Sequence, residues 1–142
     1  MRLVAVLAAL LGVLVLSHDA MAAGRDTLKV GPSSSYGQVL YDGKGFVLYA
    51  FTHDAKGKSR CYGACAAAWP PFLAKSPKAG AGTKQSLIGT TRRSDGSLQV
   101  TYAGRPLYYY VGDRRSGQIL CQNVEEYGGL WLIVRGSGKL VR

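Results

Sequence analysis

VLYAFTHD at residues 47–54 and PLYYYVGD at residues 106–113 are two versions of one eight-residue pattern. Each has Leu followed by Tyr, a second aromatic residue two positions later, and Asp five positions after the Tyr. Later landmarks also match, because a Cys lies 12 residues after Tyr49 and 13 after Tyr108, and a Trp lies 20 and 23 residues after them. Such matched spacing indicates an internal duplication. Two copies are too few for a solenoid, so we expect each to bury the apolar side of the other.

Short apolar segments separated by glycine turns surround both patterns. Three hairpins are predicted, over residues 38–51, 86–102 and 130–141. Residues 64–69 form the one expected helical turn, because Pro70 and Pro71 would end it. The sequence therefore predicts an all-β fold, a small antiparallel sandwich or barrel made of two pseudo-symmetric repeats. Repeat one covers about residues 38–73, and repeat two covers about residues 97–142.

Six side chains define the repeated pattern: Tyr49, Phe51, Asp54, Tyr108, Tyr110 and Asp113. The two aromatic residues of each copy share one face of a strand, since residues two apart point the same way. Each aspartate follows its strand, where an Asp side chain commonly accepts backbone N–H bonds from a turn. Two interpretations stay open, an aromatic core with turn-capping aspartates or a Tyr–Asp ligand site.

The amino-terminal residues have the pattern of a secretory signal peptide. Met1-Arg2 is basic, residues 3–16 are apolar, and Ala20-Met21-Ala22 is a cleavage sequence. A helix of that apolar stretch would rise about 21 Å, short of the roughly 30 Å hydrocarbon core. We predict cleavage of residues 1–22, no transmembrane segment afterwards, and a periplasmic or secreted protein. Residues 23–37 are predicted to be a leader arm that is at best partly ordered, and residues 38–142 a single domain.

Length and charge limit the functional classes. The chain has 142 residues, which allows one domain, and its 18 Lys and Arg against 8 Asp and Glu give a net charge of +10. The candidate anion-binding residues lie in the two loops that follow the repeated patterns: Lys56, Lys58, Arg60, Arg114 and Arg115. Outside the cytoplasm, the available partners are anionic envelope polymers and lipid surfaces, or another protein. No nucleic-acid motif is present, and a solvated basic surface without a partner is the alternative.

The three cysteines are disulfide candidates, because exported thiols meet an oxidising compartment. The residues alone leave open the pairs Cys61–Cys65, Cys61–Cys121 and Cys65–Cys121. Zinc spacing and the C-x-x-C-H haem signature are absent, so we expect no metal and no cofactor. His53 is the only histidine after residue 22, and no serine lies in a nucleophile elbow. No pair of carboxylates stands out as a general acid and base, so we expect that the protein is not an enzyme.

The duplicated Tyr-x-(Phe/Trp/Tyr)-x-x-Asp pattern in a small exported chain resembles the family known as the secreted repeat of unknown function, or lipoprotein repeat. Three more segments, Ser59–Cys65, Trp69–Pro71 and Gly128–Trp131, are similar to that family, and the resemblance covers about residues 36–142. It implies pairing of Cys61 with Cys65 and leaves Cys121 as a possible free thiol. No lipid-acceptor Cys follows the cleavage sequence, so we expect a form without a lipid anchor.

These observations together favour an exported, non-enzymatic envelope protein that binds an anionic envelope component or a protein partner. The alternative is a periplasmic redox or metal-handling accessory protein that uses Cys61, Cys65 and Cys121. The family resemblance itself brings no activity.

Overall fold

Nine short strands and one short α-helix form the regular structure of the part that this computed structural model describes, Gly24 and residues 26–142. The predicted signal peptide lies outside the described residues. The elements in chain order are β1 Thr27–Ser33, β2 Gly37–Asp42, β3 Tyr49–Phe51, α1 Ala64–Ala68, β4 Lys78–Ala79, β5 Ile88–Arg92, β6 Leu98–Tyr102, β7 Arg105–Pro106, β8 Val124–Glu126 and β9 Gly129–Ile133, with a 3₁₀ turn at Gln85–Leu87 before β5.

The strands form three three-stranded sheets with the orders β2-β1-β4, β3-β9-β8 and β5-β6-β7. All neighbours are antiparallel except β1 and β4, which run parallel. The second sheet mixes the two repeats, because β3 of repeat one pairs with β9 of repeat two. The predicted all-β fold with two repeats and one short helix is confirmed.

The prediction of a partly ordered leader arm is wrong for residues 27–33, because they form strand β1. This strand pairs with β2 from Leu28↔Asp42 to Ser33↔Gly37. Leu28 is fully buried and belongs to the same apolar cluster as Leu40. The glycine, proline and serines around residues 31–35 indicated a loop, but burial of Leu28 and the β2 pairing outweigh that local preference. Strand β1 also pairs with the two-residue strand β4.

The two copies of the repeated pattern meet at the centre of the molecule. The backbone N–H of Tyr49 donates to the carbonyl of Tyr108, and the N–H of Tyr108 donates to the carbonyl of Tyr49, both at 2.9 Å. This reciprocal pair relates the repeats by an approximate two-fold axis. Equivalent residues of the two repeats therefore face each other across the Tyr49–Tyr108 backbone contact.

A column of aromatic rings fills the space between the repeats. Trp69 and Trp131, the equivalent tryptophans, stack with their centroids 4.1 Å apart and their planes 4° from parallel. Phe51 stacks on the outer face of Trp131, and Tyr110 packs at 4.8 Å on Trp69. Each aromatic pair contributes about 0.5–1.5 kcal/mol beyond the burial of its area. The column therefore joins the two repeats through Phe51, Tyr110 and the two tryptophans.

The glycine pair before Trp131 is explained by close packing. Gly128 has φ +84°, in the left-handed region that favours glycine. A Cβ on Gly129 would lie 2.8 Å from the ring of Phe51 and 2.9 Å from the backbone nitrogen of His53. Only glycine lets β9 approach repeat one closely enough for Trp131 to stack on Phe51.

Cys61 and Cys65 form a disulfide, and Cys121 is a half-buried free thiol. This is the pairing that the family resemblance implies. The disulfide connects the segment before α1 to the helix itself. Within the described residues, no helix has the length and apolar character needed to span a membrane.

Reduction of this disulfide should leave the protein folded but lower its free energy of unfolding by about 2 kcal/mol, because the closed loop is short. The measurement is urea unfolding with and without a phosphine reductant. A Cys121→Ala variant, which retains the disulfide, should show the same difference between its oxidised and reduced forms. Complete unfolding on reduction would contradict the expectation.

Candidate functional site

The tyrosine of each repeated pattern binds the aspartate of the other copy. The Tyr49 hydroxyl donates to Asp113 Oδ2 at 2.6 Å, and the Tyr108 hydroxyl donates to Asp54 Oδ2 at 2.7 Å. Both tyrosines are fully buried, and Asp113 is also buried. The six pattern residues are therefore brought together, as a crossed set of hydrogen bonds beside the ring column.

The second oxygen of each aspartate caps the turn that follows it. Asp54 Oδ1 accepts from the backbone N–H of Arg60 at 2.7 Å, and Asp113 Oδ1 accepts from that of Leu120 at 2.9 Å. Each carboxylate thus fastens its own loop to the tyrosine of the opposite repeat. Of the two interpretations drawn from the sequence, this geometry matches the aromatic core with turn-capping aspartates.

Burial shifts the ionisation of all four groups. Desolvation raises the pKa of the Asp54 and Asp113 carboxyls above the usual aspartate value, and the tyrosine hydrogen bonds oppose part of that rise. Desolvation, followed by the neighbouring aspartate, raises the pKa of Tyr49 and Tyr108 well above the usual tyrosine value. The phenols therefore stay protonated at neutral pH and act as donors.

A buried arginine supports only one of the two Tyr–Asp pairs. Arg93 donates to Ser59 Oγ at 2.9 Å, to Gln99 Oε1 at 2.8 Å and to the Cys61 carbonyl at 2.7 Å. Ser59 Oγ in turn lies 2.7 Å from the Tyr108 hydroxyl. The neutral hydroxyls of Ser59 and Tyr108 thus connect the Arg93 guanidinium with the Asp54 carboxylate.

The other pair receives hydrogen bonds only from neutral donors among the described residues. Leu120 caps Asp113 as Arg60 caps Asp54, so Ile119 stands at the position equivalent to Ser59. Sequence reasoning missed the role of Arg93, since Arg92 and Arg93 are adjacent basic residues in one hairpin and nothing local separates them. In the structure Arg92 is exposed and Arg93 is buried.

The predicted anion-binding side chains lie at the surface in the two capped loops. All five are exposed: Lys56, Lys58, Arg60, Arg114 and Arg115. Arg60 also donates to the His53 carbonyl at 3.2 Å. Since the loops follow equivalent aspartates, they lie at positions related by the approximate two-fold axis.

Three carboxylates point inward. Asp54 is half-buried and Asp113 is buried. Asp42 is buried as well, and it accepts hydrogen bonds from the N–H groups of Lys44 and Phe46 and from the Tyr109 hydroxyl. These acidic side chains hold turns and loops from the inside. The outer surface is consequently more positive than composition alone indicates.

His53 is exposed at the end of β3, with its ring 5.7 Å from that of Phe51. Within residues 26–142, no group of three or more His, Cys, Asp or Glu side chains is placed to hold a metal ion. Cys121 packs against the aromatic core, and its thiol lies beside the Tyr110 hydroxyl.

A family model described as a secreted repeat of unknown function matches residues 33–72 and 89–135, more than half of the chain. The two matched segments contain the two copies of the repeated pattern and the disulfide. No curated protein and no solved structure matches the chain.

Replacement of either buried tyrosine by phenylalanine should lower the free energy of unfolding by about 1–3 kcal/mol, because a buried carboxylate oxygen loses its donor. Urea unfolding of Tyr49→Phe and Tyr108→Phe at neutral pH measures this. The matched control is Tyr127→Phe, on an exposed side chain, which should change stability by less than about 0.5 kcal/mol. Equal effects for all three variants would contradict a structural role for the crossed hydrogen bonds.

The raised pKa of Asp113 gives a pH dependence of defined sign. Between about pH 3.9 and the higher folded-state pKa, the folded chain binds more protons than the unfolded chain, so this group's contribution to stability falls as pH rises. Asp113→Asn should remove that decline when urea unfolding is measured at a series of pH values. Asp95, whose pKa is lowered by its hydrogen bonds with Ser97, should behave oppositely, so that Asp95→Asn removes a rise in stability with pH. The same slope change in both variants would be inconsistent with these shifts.

Proposed function

The chain belongs to the family of secreted repeats of unknown function, and from this we propose that it is a non-enzymatic envelope protein, periplasmic or secreted, that binds an anionic envelope component. Secretion is part of the family description. The proposed ligand class is a phosphate-bearing surface, such as lipopolysaccharide or acidic lipid. Binding is electrostatic and needs no bond-making chemistry.

The placement of charge is the observation that carries the proposal. Internal hydrogen bonds are accepted by the carboxylates of Asp42, Asp54 and Asp113, whereas the five loop cations are exposed to solvent. The five loop cations therefore present part of the chain's net charge of +10 to the solvent. A field of this kind attracts polyanions over roughly a Debye length, about 8 Å at physiological salt.

The loops that carry these cations are held from within. Asp54 fastens the loop of Lys56, Lys58 and Arg60 to Tyr108, and Asp113 fastens the loop of Arg114 and Arg115 to Tyr49. Fixed loops lose less conformational entropy on binding than mobile ones. Anchored basic side chains therefore suit recognition of an extended anionic surface.

The purified exported protein should bind acidic liposomes and lipopolysaccharide at low salt and release them as salt increases. A triple variant, Lys56→Gln with Lys58→Gln and Arg60→Gln, should weaken binding by about tenfold at low salt, from the loss of three surface contacts of up to about 1 kcal/mol each. Liposome co-sedimentation across a salt series is the measurement.

The matched control removes the same charge elsewhere, by Lys75→Gln, Lys78→Gln and Lys84→Gln in the loop near β4, where all three side chains are exposed. This control should reduce binding distinctly less. Equal loss in the two variants would reject a role for the capped loop. Absence of binding at low salt would reject the proposed function itself.

A further inference from the structure

A groove of about 520 Å³ lies on one face of the molecule. Its walls come from the turn of the first hairpin, the Pro70–Leu73 segment after α1, and the Tyr109–Val111 segment of repeat two. Tyr110 and Asp113 of the repeated pattern border it, but none of the five basic loop side chains does. The groove is therefore a feature separate from the proposed anion-binding loops.

The walls of the groove are apolar and partly exposed. Leu73 is 47% exposed and Val111 is 55% exposed, although both are large hydrophobic side chains. Pro70, Pro71 and Tyr109 also line the groove, and the Tyr109 ring lies 5.4 Å from that of the buried Phe72. Aromatic-lined grooves bind extended, proline-containing peptides in several recognition domains.

The groove is acidic although the protein is strongly basic. Three carboxylates line it, and Lys44 is the one cation among its described lining residues. Asp26 is half-buried, whereas Asp42 and Asp113 are buried and hydrogen-bonded internally to neutral donors, so that they keep their charge beneath the groove. This excess of carboxylates is the reverse of the chain's net charge of +10, and an occupant with positive charge is complementary to it.

The aspartates of the two repeats differ in the groups that compensate their charge. Asp54 is connected to the Arg93 guanidinium through Tyr108 and Ser59. The equivalent Asp113 accepts hydrogen bonds from Tyr49 and from the backbone of Leu120, which are both neutral donors. Asp113 also borders the groove, so a cation bound there would lie near a carboxylate that no cationic side chain among the described residues contacts.

We propose that this groove binds an extended segment of another exported protein, in which a lysine or arginine stands next to proline or aliphatic residues. The aliphatic and proline groups pack between Leu73, Val111 and the proline wall. The cationic side chain points to the acidic end, where Asp26 is half-buried and reachable. The binding thus combines burial of exposed apolar surface with local charge complementarity.

The probe is a synthetic peptide, acetyl-Ala-Pro-Pro-Leu-Pro-Arg-Leu-Pro-amide, added to the ¹⁵N-labelled exported protein. We expect amide resonances of Leu73, Tyr110 and Val111 to shift, and those of the capped basic loops to stay unchanged. A second peptide with Glu in place of Arg should bind at least about fivefold more weakly, because it faces the carboxylates with a like charge.

Two groove variants and two matched controls test the site. Val111→Ser should weaken peptide binding by about tenfold, and Asp26→Asn by about threefold. Leu120→Ser and Asp95→Asn remove an equally exposed apolar side chain and an exposed carboxylate outside the groove, and should leave affinity unchanged. The affected residues are at the surface, and the amide spectrum of each variant verifies its fold.

Several results would overturn the proposal. These are the absence of resonance shifts up to about 1 mM peptide, equal binding of the Arg and Glu peptides, or equal losses in groove and control variants. Concentration-dependent self-association that Val111→Ser abolishes would assign the groove to a second copy of this chain instead. Liposome binding is measured separately, so failure of the peptide experiment leaves the proposed function standing.

Discussion

Two crossed hydrogen bonds between buried tyrosines and aspartates hold the architecture together. Each phenol of one repeat satisfies a carboxylate of the other, and each carboxylate also caps its own loop. Each aspartate accepts its tyrosine hydrogen bond from the other repeat, so neither repeat alone satisfies its own carboxylate. Loss of the donor to a buried carboxylate costs about 1–3 kcal/mol. The ring column, the loops and the surface charges all depend on this exchange of partners.

The sequence predicted much of this arrangement because its signals are local. The duplicated spacing indicated two repeats, the glycine turns indicated hairpins, and the position of Asp54 and Asp113 after their strands indicated turn caps. The exchange of partners was beyond reach, since spacing within one copy does not say which tyrosine its aspartate meets. Strand β1 was missed because Gly31 and Pro32 locally favour a loop, while burial of Leu28 is a tertiary effect. The buried Arg93 is satisfied by Ser59, which is 34 residues away in the sequence, and by Gln99 on the next strand. Neither residue belongs to a sequence pattern that would indicate this contact.

The two repeats have diverged at equivalent places while keeping the common framework. Ser59 and Arg93 give one Tyr–Asp pair a polar environment that includes a cation, whereas Ile119 stands at the position equivalent to Ser59 in the other repeat. Both aspartates border surface depressions, Asp113 the groove of about 520 Å³ and Asp54 a smaller one of about 290 Å³. Duplication thus supplies one stable frame on which the two depressions are lined by different side chains.

The pairing of β3 with β9 has a consequence for biogenesis. β3 ends at Phe51 and β9 begins only at Gly129, yet the two strands pair in one sheet. A chain that emerges amino terminus first therefore reaches β9, the sheet partner of β3, only after the whole intervening segment has been made. Long-range pairing of this kind forms late and slowly. The topology therefore delays closure of the β3-β9 sheet during synthesis and leaves β3 without this partner until then.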